Sequence, residues 1–227
     1  MAVVVQNTPR TPLDVVDGLA ELGTATVSEA QGRTGTFLPI LKPIYRPAKV
    51  AGNAITCEVA PGDNWMIHVA VTQCQPGDIL VVVPTSPCDD GYFGELLATQ
   101  LMHRGVRGLI IEAGVRDIAV LTEMGFPVWS KTVNPQGTVK ETIANVNTPI
   151  VIANQYVEPG DVVVADDDGV VVVKRKNAAT TLEAGRKRES NEMAARKRYE
   201  AGALSAERFG EQLALKGLKY VDYPYEG

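Results

Sequence analysis

Residues 107–117 read RGLIIEAGVRD, and this stretch decides how the chain is interpreted. Its apolar run, GLII, is typical of a strand that is buried on both faces of a parallel sheet. Gly114-Val115-Arg116-Asp117 follows that run closely. Ligands of open α/β sheets bind beyond the carboxyl ends of the strands. We therefore expect Arg116 and Asp117 to lie at a ligand site.

Strand and helix patterns alternate on both sides of this stretch. Strand-like runs bounded by Gly, Pro or Asp are predicted at Val50–Val59, Ile79–Val83, Arg107–Ile111, Val128–Thr132, Pro149–Ala153, Val162–Ala165 and Val170–Val173. Helical patterns are predicted at Thr11–Leu22, Thr26–Gln31, Asn64–Gln73, Phe93–Arg104 and Asp117–Met124. Such alternation favours an α/β domain with some parallel pairing. We predict one α/β domain over residues 1–176.

From Asn177 onward the pattern becomes helical and highly charged. Two basic triplets, starting at Arg186 and Arg196, are interleaved with Glu183, Glu189, Glu192 and Glu200. Mixed signs without interleaved aromatic residues favour a solvated or subunit-bridging helix over contact with nucleic acid. A further short helix is predicted at Ser205–Lys216. Residues 177–227 are therefore predicted to form a C-terminal helical extension that packs on a neighbouring subunit.

Two kinds of turn signal punctuate the chain. Pro-Gly-Asp begins at Pro61, Pro76 and Pro159, each time just ahead of a regular element, and suits a type II turn with an aspartate cap. Asp166-Asp167-Asp168-Gly169 joins two valine runs and ends in Asp-Gly, a strong hairpin signal. Calcium is the alternative interpretation of the acidic triplet, but the spacing of an EF-hand loop is absent. We predict a hairpin turn there.

Composition and charge exclude several classes of protein. The 227 residues are 45% apolar and 22% charged, as in globular proteins and unlike disordered or fibrous chains. No run approaches the roughly 18 apolar residues of a membrane span. A formal net charge of -5 argues against a nucleic-acid-binding surface. The first residues carry neither a basic region nor an apolar segment of signal-peptide length, so we expect a cytoplasmic protein.

Cysteine and histidine are scarce in this chain. Cys57, Cys74 and Cys88 form an odd set without CxxC spacing, and His68 and His103 are the only histidines. A structural zinc site and a disulfide framework are therefore not expected. We interpret the cysteines as small buried apolar residues.

A second candidate site lies where GYFGELL, residues 91–97, leads into a helix. The start of a helix presents unpaired N–H groups and a positive dipole, so the amides near Leu96 and Leu97 are able to hold a carboxylate or a phosphate. At the first candidate site, Arg116 can bind a carboxylate with two hydrogen bonds, and Asp117 offers the hard oxygen that Mg²⁺ or Mn²⁺ prefers. The alternative for this Arg-Asp pair is a simple helix cap.

Five motifs occur in a characteristic order. They are Gly62-Asp63-Asn64-Trp65, Thr85-Ser86-Pro87, the segment from Gly91 to Thr99, Gly114-Val115-Arg116-Asp117, and the segment from Asp166 to Val172. As an ensemble they make the chain strongly resemble the 4-hydroxy-4-methyl-2-oxoglutarate and 4-carboxy-4-hydroxy-2-oxoadipate aldolases, relatives of the regulator of ribonuclease activity A family. The resemblance covers nearly the whole chain. It implies a layered β/β/α fold of the swivelling-domain type, assembled as homotrimers or homohexamers with sites between subunits.

The resemblance also implies an activity. Such proteins are class II aldolases that use a divalent metal, Mg²⁺ or Mn²⁺, to cleave a 4-hydroxy-2-oxo diacid or triacid to pyruvate and a second oxo acid, pyruvate or oxaloacetate. This reaction belongs to the bacterial catabolism of aromatic compounds. Decarboxylation of oxaloacetate is implied as a side activity, because both reactions pass through the enolate of pyruvate.

The resemblance assigns roles to individual residues. Asp117 holds the metal, Arg116 contacts the pyruvyl group, and Glu95 holds a water that removes the 4-hydroxyl proton. Substrate is received by Gly94, Glu95, Leu96 and Leu97. Glu95 and Glu192, the latter from a neighbouring subunit, reach the metal through water. Asn64 and His68 are assigned a role in binding substrate or an anion. One departure stands out, because the family usually has aspartate where this chain has Glu95.

Two competing functions stay open at this point. A Schiff-base aldolase would use a lysine as nucleophile, and Lys131 within the predicted strand Val128–Thr132 is the best candidate. The other competitor is a protein-binding regulator without catalysis, like the relatives that act on ribonuclease. Similarity of fold does not separate a regulator from an enzyme.

Overall fold

The computed structural model describes residues 1–224 and divides into two compact units, Met1–Arg186 and Lys187–Gly227. The two units divide inside the helix Ala178–Glu200, and the predicted domain boundary between residues 176 and 177 stays a prediction. Thr181, Leu182 and Gly185, in the first turns of that helix, are buried and belong to the first unit. Residues 225–227 of the predicted extension lie outside the described residues.

The strands all lie in the first unit. They are β1 (Lys42–Pro43), β2 (Val50–Val59), β3 (Asp78–Pro84), β4 (Gly91–Phe93), β5 (Gly108–Val115), β6 (Val128–Val133), β7 (Ile150–Ile152), β8 (Gln155–Val157), β9 (Val162–Ala165) and β10 (Val170–Val173). The main sheet has the order β1-β6-β5-β3-β2-β9-β10, and β4 pairs with β5. Its centre, β2, β3, β5 and β6, is parallel, while β1, β9 and β10 pair antiparallel to their neighbours. β7 and β8 form a separate antiparallel hairpin.

Three helices connect parallel strands, one precedes the sheet, and two follow it. They are α1 (Leu13–Ala30), α2 (Trp65–Gln73), α3 (Glu95–His103), α4 (Ile118–Glu123), α5 (Ala178–Glu200) and α6 (Gly210–Leu215). α2 lies between β2 and β3, α3 lies between β4 and β5, and α4 lies between β5 and β6. The predicted alternation of strands and helices is therefore confirmed.

The apolar side chains explain the layers of the first unit. Leu80 and Val82 of β3 pack in one core with residues of α2, α3 and α4, whereas Ile79 and Val81 pack in a second core with the β7–β8 hairpin. Because successive strand residues point to opposite faces, the stretch Ile79–Val83 of β3 must be apolar to serve both cores. The helical layer, the central sheet and the hairpin layer confirm the predicted β/β/α architecture.

Differences from the predicted elements have local causes. Thr11–Leu22 and Thr26–Gln31 form one helical element, α1, which is interrupted at Gly23, where φ is 77°. The predicted helix Phe93–Arg104 begins later, at Glu95, because Gly91–Phe93 pairs with β5. Strands of two or three residues, such as β1 and β8, are too short to show a period in the sequence.

The predicted turns form, but two of their aspartates do not cap the element that follows, because Asp78 and Asp161 accept the N–H groups of Gln75 and Glu158, three residues earlier. Each Pro-Gly-Asp glycine has a positive φ, 69° at Gly62, 90° at Gly77 and 82° at Gly160. The acidic turn joins β9 and β10, and the Asp166 carboxylate accepts bonds from the Thr24 N–H and hydroxyl at 2.8 and 2.6 Å. Asp166 therefore caps the half of α1 that follows Gly23, which accounts for the acidic turn without calcium.

The three cysteines are only partly buried as a group, and no helix of the described residues suits a membrane span. Cys57 and Cys74 are buried, Cys88 is half-buried, and all three are free thiols. Across residues 1–224, no helix combines the length and the apolar character needed to cross a membrane.

Candidate functional site

A cavity of about 380 Å³ opens in the first unit beyond the carboxyl end of β5. Its lining comprises Asn64, His68, Gly91, Tyr92, Gly94, Glu95, Leu96, Leu97, Arg116, Asp117, Gly137, Thr138 and Lys140. Every first-unit residue assigned to the metal-dependent aldolase site belongs to this lining. The two candidate sites of the sequence analysis are thus one cavity, because β4 pairs with β5 and brings the start of α3 beside Arg116 and Asp117.

Asp117 stands at the turn between β5 and α4. Its backbone adopts the left-handed conformation, with φ 59° and ψ 36°, which aspartate tolerates better than most residues. The side chain makes no capping bond to α4, and Oδ2 instead accepts the backbone N–H of Glu95 at 3.1 Å. Asp117 is therefore not merely the cap of its own helix, because its carboxylate crosses to the first turn of α3.

The start of α3 forms the second wall of the cavity. Gly94 precedes the helix in an extended conformation, and no side chain caps the helix from that position. Within the described chain, the N–H groups of Leu96 and Leu97 have no hydrogen-bond partner. The exposed amides and the helix dipole together favour an anionic group at this end of the cavity.

Gly94 allows this close approach because it has no side chain. A Cβ atom at Gly94 would collide with Asp117 Oδ2 and lie 3.2 Å from Arg116 Cγ. Gly114 is crowded in the same way, since a Cβ there would collide with the backbone carbonyl of Asp89. Gly94 therefore allows close packing against the Asp117 carboxylate, and Gly114 allows close packing against the backbone before β4.

Arg116 supplies the cation nearest to that carboxylate. Its Nε lies 3.9 Å from Asp117 Oδ2, and its side chain is 49% exposed. Its backbone N–H donates to the Phe93 carbonyl at 2.9 Å, which fixes the main chain, while the described residues contain no hydrogen-bond acceptor for its guanidinium. The guanidinium is thus available to bind a ligand carboxylate with two hydrogen bonds.

Asn64, at the N-cap of α2, and His68, within α2, line the cavity. Asn64 Nδ2 donates to the Tyr92 carbonyl at 2.8 Å, and its buried Oδ1 has no partner in the described structure. His68 lies one helical turn further along. Burial lowers the pKa of His68, and the positive charge of Lys140 lowers it further. The imidazole is therefore neutral at pH 7 and presents both a donor and an acceptor.

The sequence analysis missed the residues that reach the cavity from the segment after β6. Gly137, Thr138 and Lys140 belong to this segment, which contains no helix or strand between Asn134 and Pro149. A lysine in a polar loop carries no signal of its own in a single sequence, because loops are generally rich in such residues. Lys140 adds a second cation to the cavity beside Arg116.

Two other candidates lie elsewhere. Lys131, the Schiff-base candidate, lies on β6 with Nζ 2.9 Å from Asp89 Oδ1 and does not line the cavity. Glu192 lies on α5 in the second unit, where its Oε1 is 2.8 Å from Arg188 Nη2. Its role toward a neighbouring subunit stays a prediction.

The donor set of the cavity fits a hydrated divalent cation. The described residues contain no group of three or more His, Cys, Asp or Glu side chains placed to hold a metal ion. Mg²⁺, however, commonly uses one or two protein carboxylates and keeps several waters. Asp117 Oδ1 accepts no hydrogen bond in the described chain, and the Glu95 side chain is exposed without a partner. These two carboxylates leave room for waters and for a ligand.

Comparison with known proteins identifies a family and several relatives. Residues 24–172 match the family model RraA-like: Aldolase/RraA. A protein of Halalkalibacterium halodurans named "Putative 4-hydroxy-4-methyl-2-oxoglutarate aldolase" is 24% identical over 182 residues, which are 80% of this chain and 87% of that protein. A protein of the same name from Vibrio cholerae is 32% identical over 104 residues, 46% of this chain and 65% of that protein.

A solved structure supports the relationship. RraAS2 of Streptomyces coelicolor, described as an unusual member of the RNase ES inhibitor RraA protein family, has a TM-score of 0.75 at 26% identity. The similarity covers 83% of this chain and 98% of that one. Because the family model matches more than half of the chain, including the cavity residues from Asn64 to Lys140, the protein belongs to the Aldolase/RraA family.

Proposed function

We propose that this cavity is the active site of a divalent-metal-dependent class II aldolase. Its substrates are 4-hydroxy-2-oxo diacids or triacids, such as 4-hydroxy-4-methyl-2-oxoglutarate and 4-carboxy-4-hydroxy-2-oxoadipate, and one product is always pyruvate. The observation that carries the proposal is the convergence of the Asp117 carboxylate, the Arg116 guanidinium and the unpaired amides of Leu96 and Leu97 on one cavity. Names of relatives, such as the Halalkalibacterium halodurans protein, support the same reaction class.

Each group has a place in substrate binding. The guanidinium of Arg116 binds the pyruvyl end of the substrate, and the amides of Leu96 and Leu97 hold an anionic oxygen of the same ligand. Asp117 and, through water, Glu95 would hold Mg²⁺ or Mn²⁺. When bound, the metal ion supplies a Lewis acid that polarises the 2-oxo group and its carboxylate.

The reaction needs one proton transfer before the carbon–carbon bond breaks. Glu95 holds a water that accepts the proton of the 4-hydroxyl group, and the C3–C4 bond then breaks as C4 becomes a carbonyl. The bonding electrons pass into the pyruvyl fragment, where Arg116 stabilises the negative charge of the enolate. A proton delivered to C3 completes pyruvate. Decarboxylation of oxaloacetate gives the same enolate, so we propose it as a side activity.

Turnover and chelation together test this proposal. We expect the purified protein with Mg²⁺ to release pyruvate from 4-hydroxy-4-methyl-2-oxoglutarate and from oxaloacetate, and to lose this activity in excess EDTA until Mg²⁺ is restored. Arg116→Ala should lower the rate by about two to three powers of ten, since it removes a stabiliser of developing charge. Absence of pyruvate release from both compounds would overturn the proposal and favour the non-catalytic regulator.

A matched variant tests the Schiff-base mechanism. Lys131→Arg keeps the charge beside Asp89 but lacks a primary amine, so it should retain parental activity. If pyruvate and borohydride trap the parent protein covalently, and Lys131→Arg abolishes both trapping and turnover, the lysine mechanism replaces the metal mechanism.

A further inference from the structure

The segment that carries Lys140 is irregular, yet it is anchored to the residues just before α2. Val139 donates its N–H to the Gly62 carbonyl at 2.8 Å, and its carbonyl accepts the Asn64 N–H at 3.2 Å. This pair of bonds is a short parallel bridge, Asp63 to Val139. The residue that precedes Lys140 is thereby fixed to the motif Gly62-Asp63-Asn64-Trp65.

The Asp63 carboxylate fixes the other side of Lys140. Its Oδ2 accepts the N–H groups of Glu141 and Thr142 at 2.6 and 2.7 Å, and its Oδ1 accepts the Trp65 N–H at 2.8 Å. Burial by itself would raise the pKa of Asp63, but the three backbone bonds and the charge of Lys140 lower it overall. The carboxylate is only 2% exposed and is ionised at neutral pH.

Lys140 therefore lies between two anchored positions and lines the cavity. Within residues 1–224 its ammonium makes no hydrogen bond or ion pair, although its charge acts on the Asp63 carboxylate from beyond ion-pair distance. Arg116, in contrast, has the Asp117 carboxylate beside it. Arg116 lines the cavity from the β5–α4 turn, whereas Lys140 lines it from the segment after β6. A ligand with carboxylates at both ends matches this distribution of one cation in each segment.

We propose that Lys140 binds the second carboxylate of a 2-oxo diacid and that Asp63 is a positioning residue that holds Lys140 in place. The identity of the ligand rests on the proposed function, whereas the coupling of Asp63 to Lys140 rests on the geometry. Asp63 does not line the cavity and acts on Lys140 through the segment from Val139 to Thr142 and through its own negative charge.

Calorimetric binding of two non-cleavable probes, 2-oxoglutarate and pyruvate, tests the proposal in the presence of Mg²⁺. Lys140→Met keeps an unbranched side chain one atom shorter and without the charge. We expect it to weaken 2-oxoglutarate binding about tenfold, as for a lost charged hydrogen bond, and pyruvate binding less than twofold. Lys140→Arg should restore most of the affinity. Equal losses for the two probes, or no preference for 2-oxoglutarate in the parent protein, would overturn the role of Lys140.

The double variant tests the role of Asp63. Asp63→Asn should weaken 2-oxoglutarate selectively, and Asp63→Asn combined with Lys140→Met should bind no more weakly than Lys140→Met alone. If the two losses instead multiply, Asp63 does not act through Lys140.

A second Pro-Gly-Asp motif supplies the matched control. Asp161 also accepts backbone N–H groups, from Glu158 and Arg175, but it does not line the cavity. Asp161→Asn should therefore lower thermal stability without changing the preference for 2-oxoglutarate over pyruvate. A change of preference in this variant would show that Asp63→Asn reports only general destabilisation. Because binding is measured without turnover, failure of the aldolase reaction is seen separately in the pyruvate-release assay.

Discussion

Replacing Gly94 by alanine adds one methyl group at the closest approach in the site. The backbone of Gly94, with φ -160°, is extended and suits alanine, so the conformation itself costs nothing. The new Cβ would collide with Asp117 Oδ2 and lie 3.1 Å from Asp117 Cγ. Asp117 must then turn away and release the Glu95 N–H. Overpacking and the loss of one charged hydrogen bond each cost about 1–3 kcal/mol, and because the clash is relieved by giving up the bond, the two costs are not added and we take about 2 kcal/mol.

That free energy corresponds to a fall in melting temperature of about 4–8 °C for a domain of this size. Pyruvate release should fall much further, by about two powers of ten, because displacement of catalytic groups by about 1 Å has that effect. Scanning calorimetry and the pyruvate-release assay measure the two quantities. Gly210→Ala is the control, since a Cβ there meets open space, and it should change neither. Parental stability and activity in Gly94→Ala would refute the packing argument.

Other variants test single groups of the site. Glu95→Asp should keep most of the activity, because a contact through water tolerates a shorter side chain. Glu95→Gln should lower the turnover rate by about two to four powers of ten, because an amide cannot accept the proton. Parental turnover in Glu95→Gln would show that Glu95 is only a carboxylate stabilised at the start of a helix. Asp117→Asn should raise the Mg²⁺ concentration needed for half-maximal activity, and an unchanged requirement would remove it from the metal site. The pKa of His68 is lower in the folded protein than in the unfolded chain, where it is about 6.5, so the neutral imidazole stabilises the fold above pH 6.5 and this stability is lost as the pH falls below that value. His68→Gln should therefore flatten the dependence of the unfolding free energy on pH between pH 7 and 5, as measured by urea unfolding. The charged α5 predicts a trimer or hexamer in light scattering at micromolar concentration, and a monomer would also remove Glu192 from the site.

The regular strands could be predicted from the sequence because their residues carry a strong local signal. β2, β9 and β10 have the predicted bounds, since β9 and β10 are apolar runs on either side of an Asp-Gly turn and β2 is rich in β-branched and small apolar residues. β4 could not be predicted, because its three residues become a strand only through pairing with β5. The same pairing unites the two candidate sites, so their proximity is a property of the topology and not of either motif.

In the site too, some positions follow from local sequence patterns and others depend on the tertiary fold. Arg116 and Asp117 follow a buried strand, and Glu95 opens a helix, so their positions follow from sequence patterns. The bond from the Glu95 N–H to Asp117 joins residues far apart in the chain, and nothing in either motif encodes it. Lys140 was missed for a related reason, because its position depends on bonds between Asp63 and an irregular segment.

Exchange of the methyl protons of pyruvate with D₂O, followed by proton NMR, tests the central claim most directly. Exchange requires the enolate of pyruvate and does not depend on which 4-hydroxy-2-oxo acid is the substrate. We predict exchange with the parent protein and Mg²⁺ at a rate well above that in buffer, and its loss in Asp117→Asn, in Arg116→Ala and in EDTA. Exchange at the buffer rate with the parent protein, or full exchange in Asp117→Asn, would contradict the account.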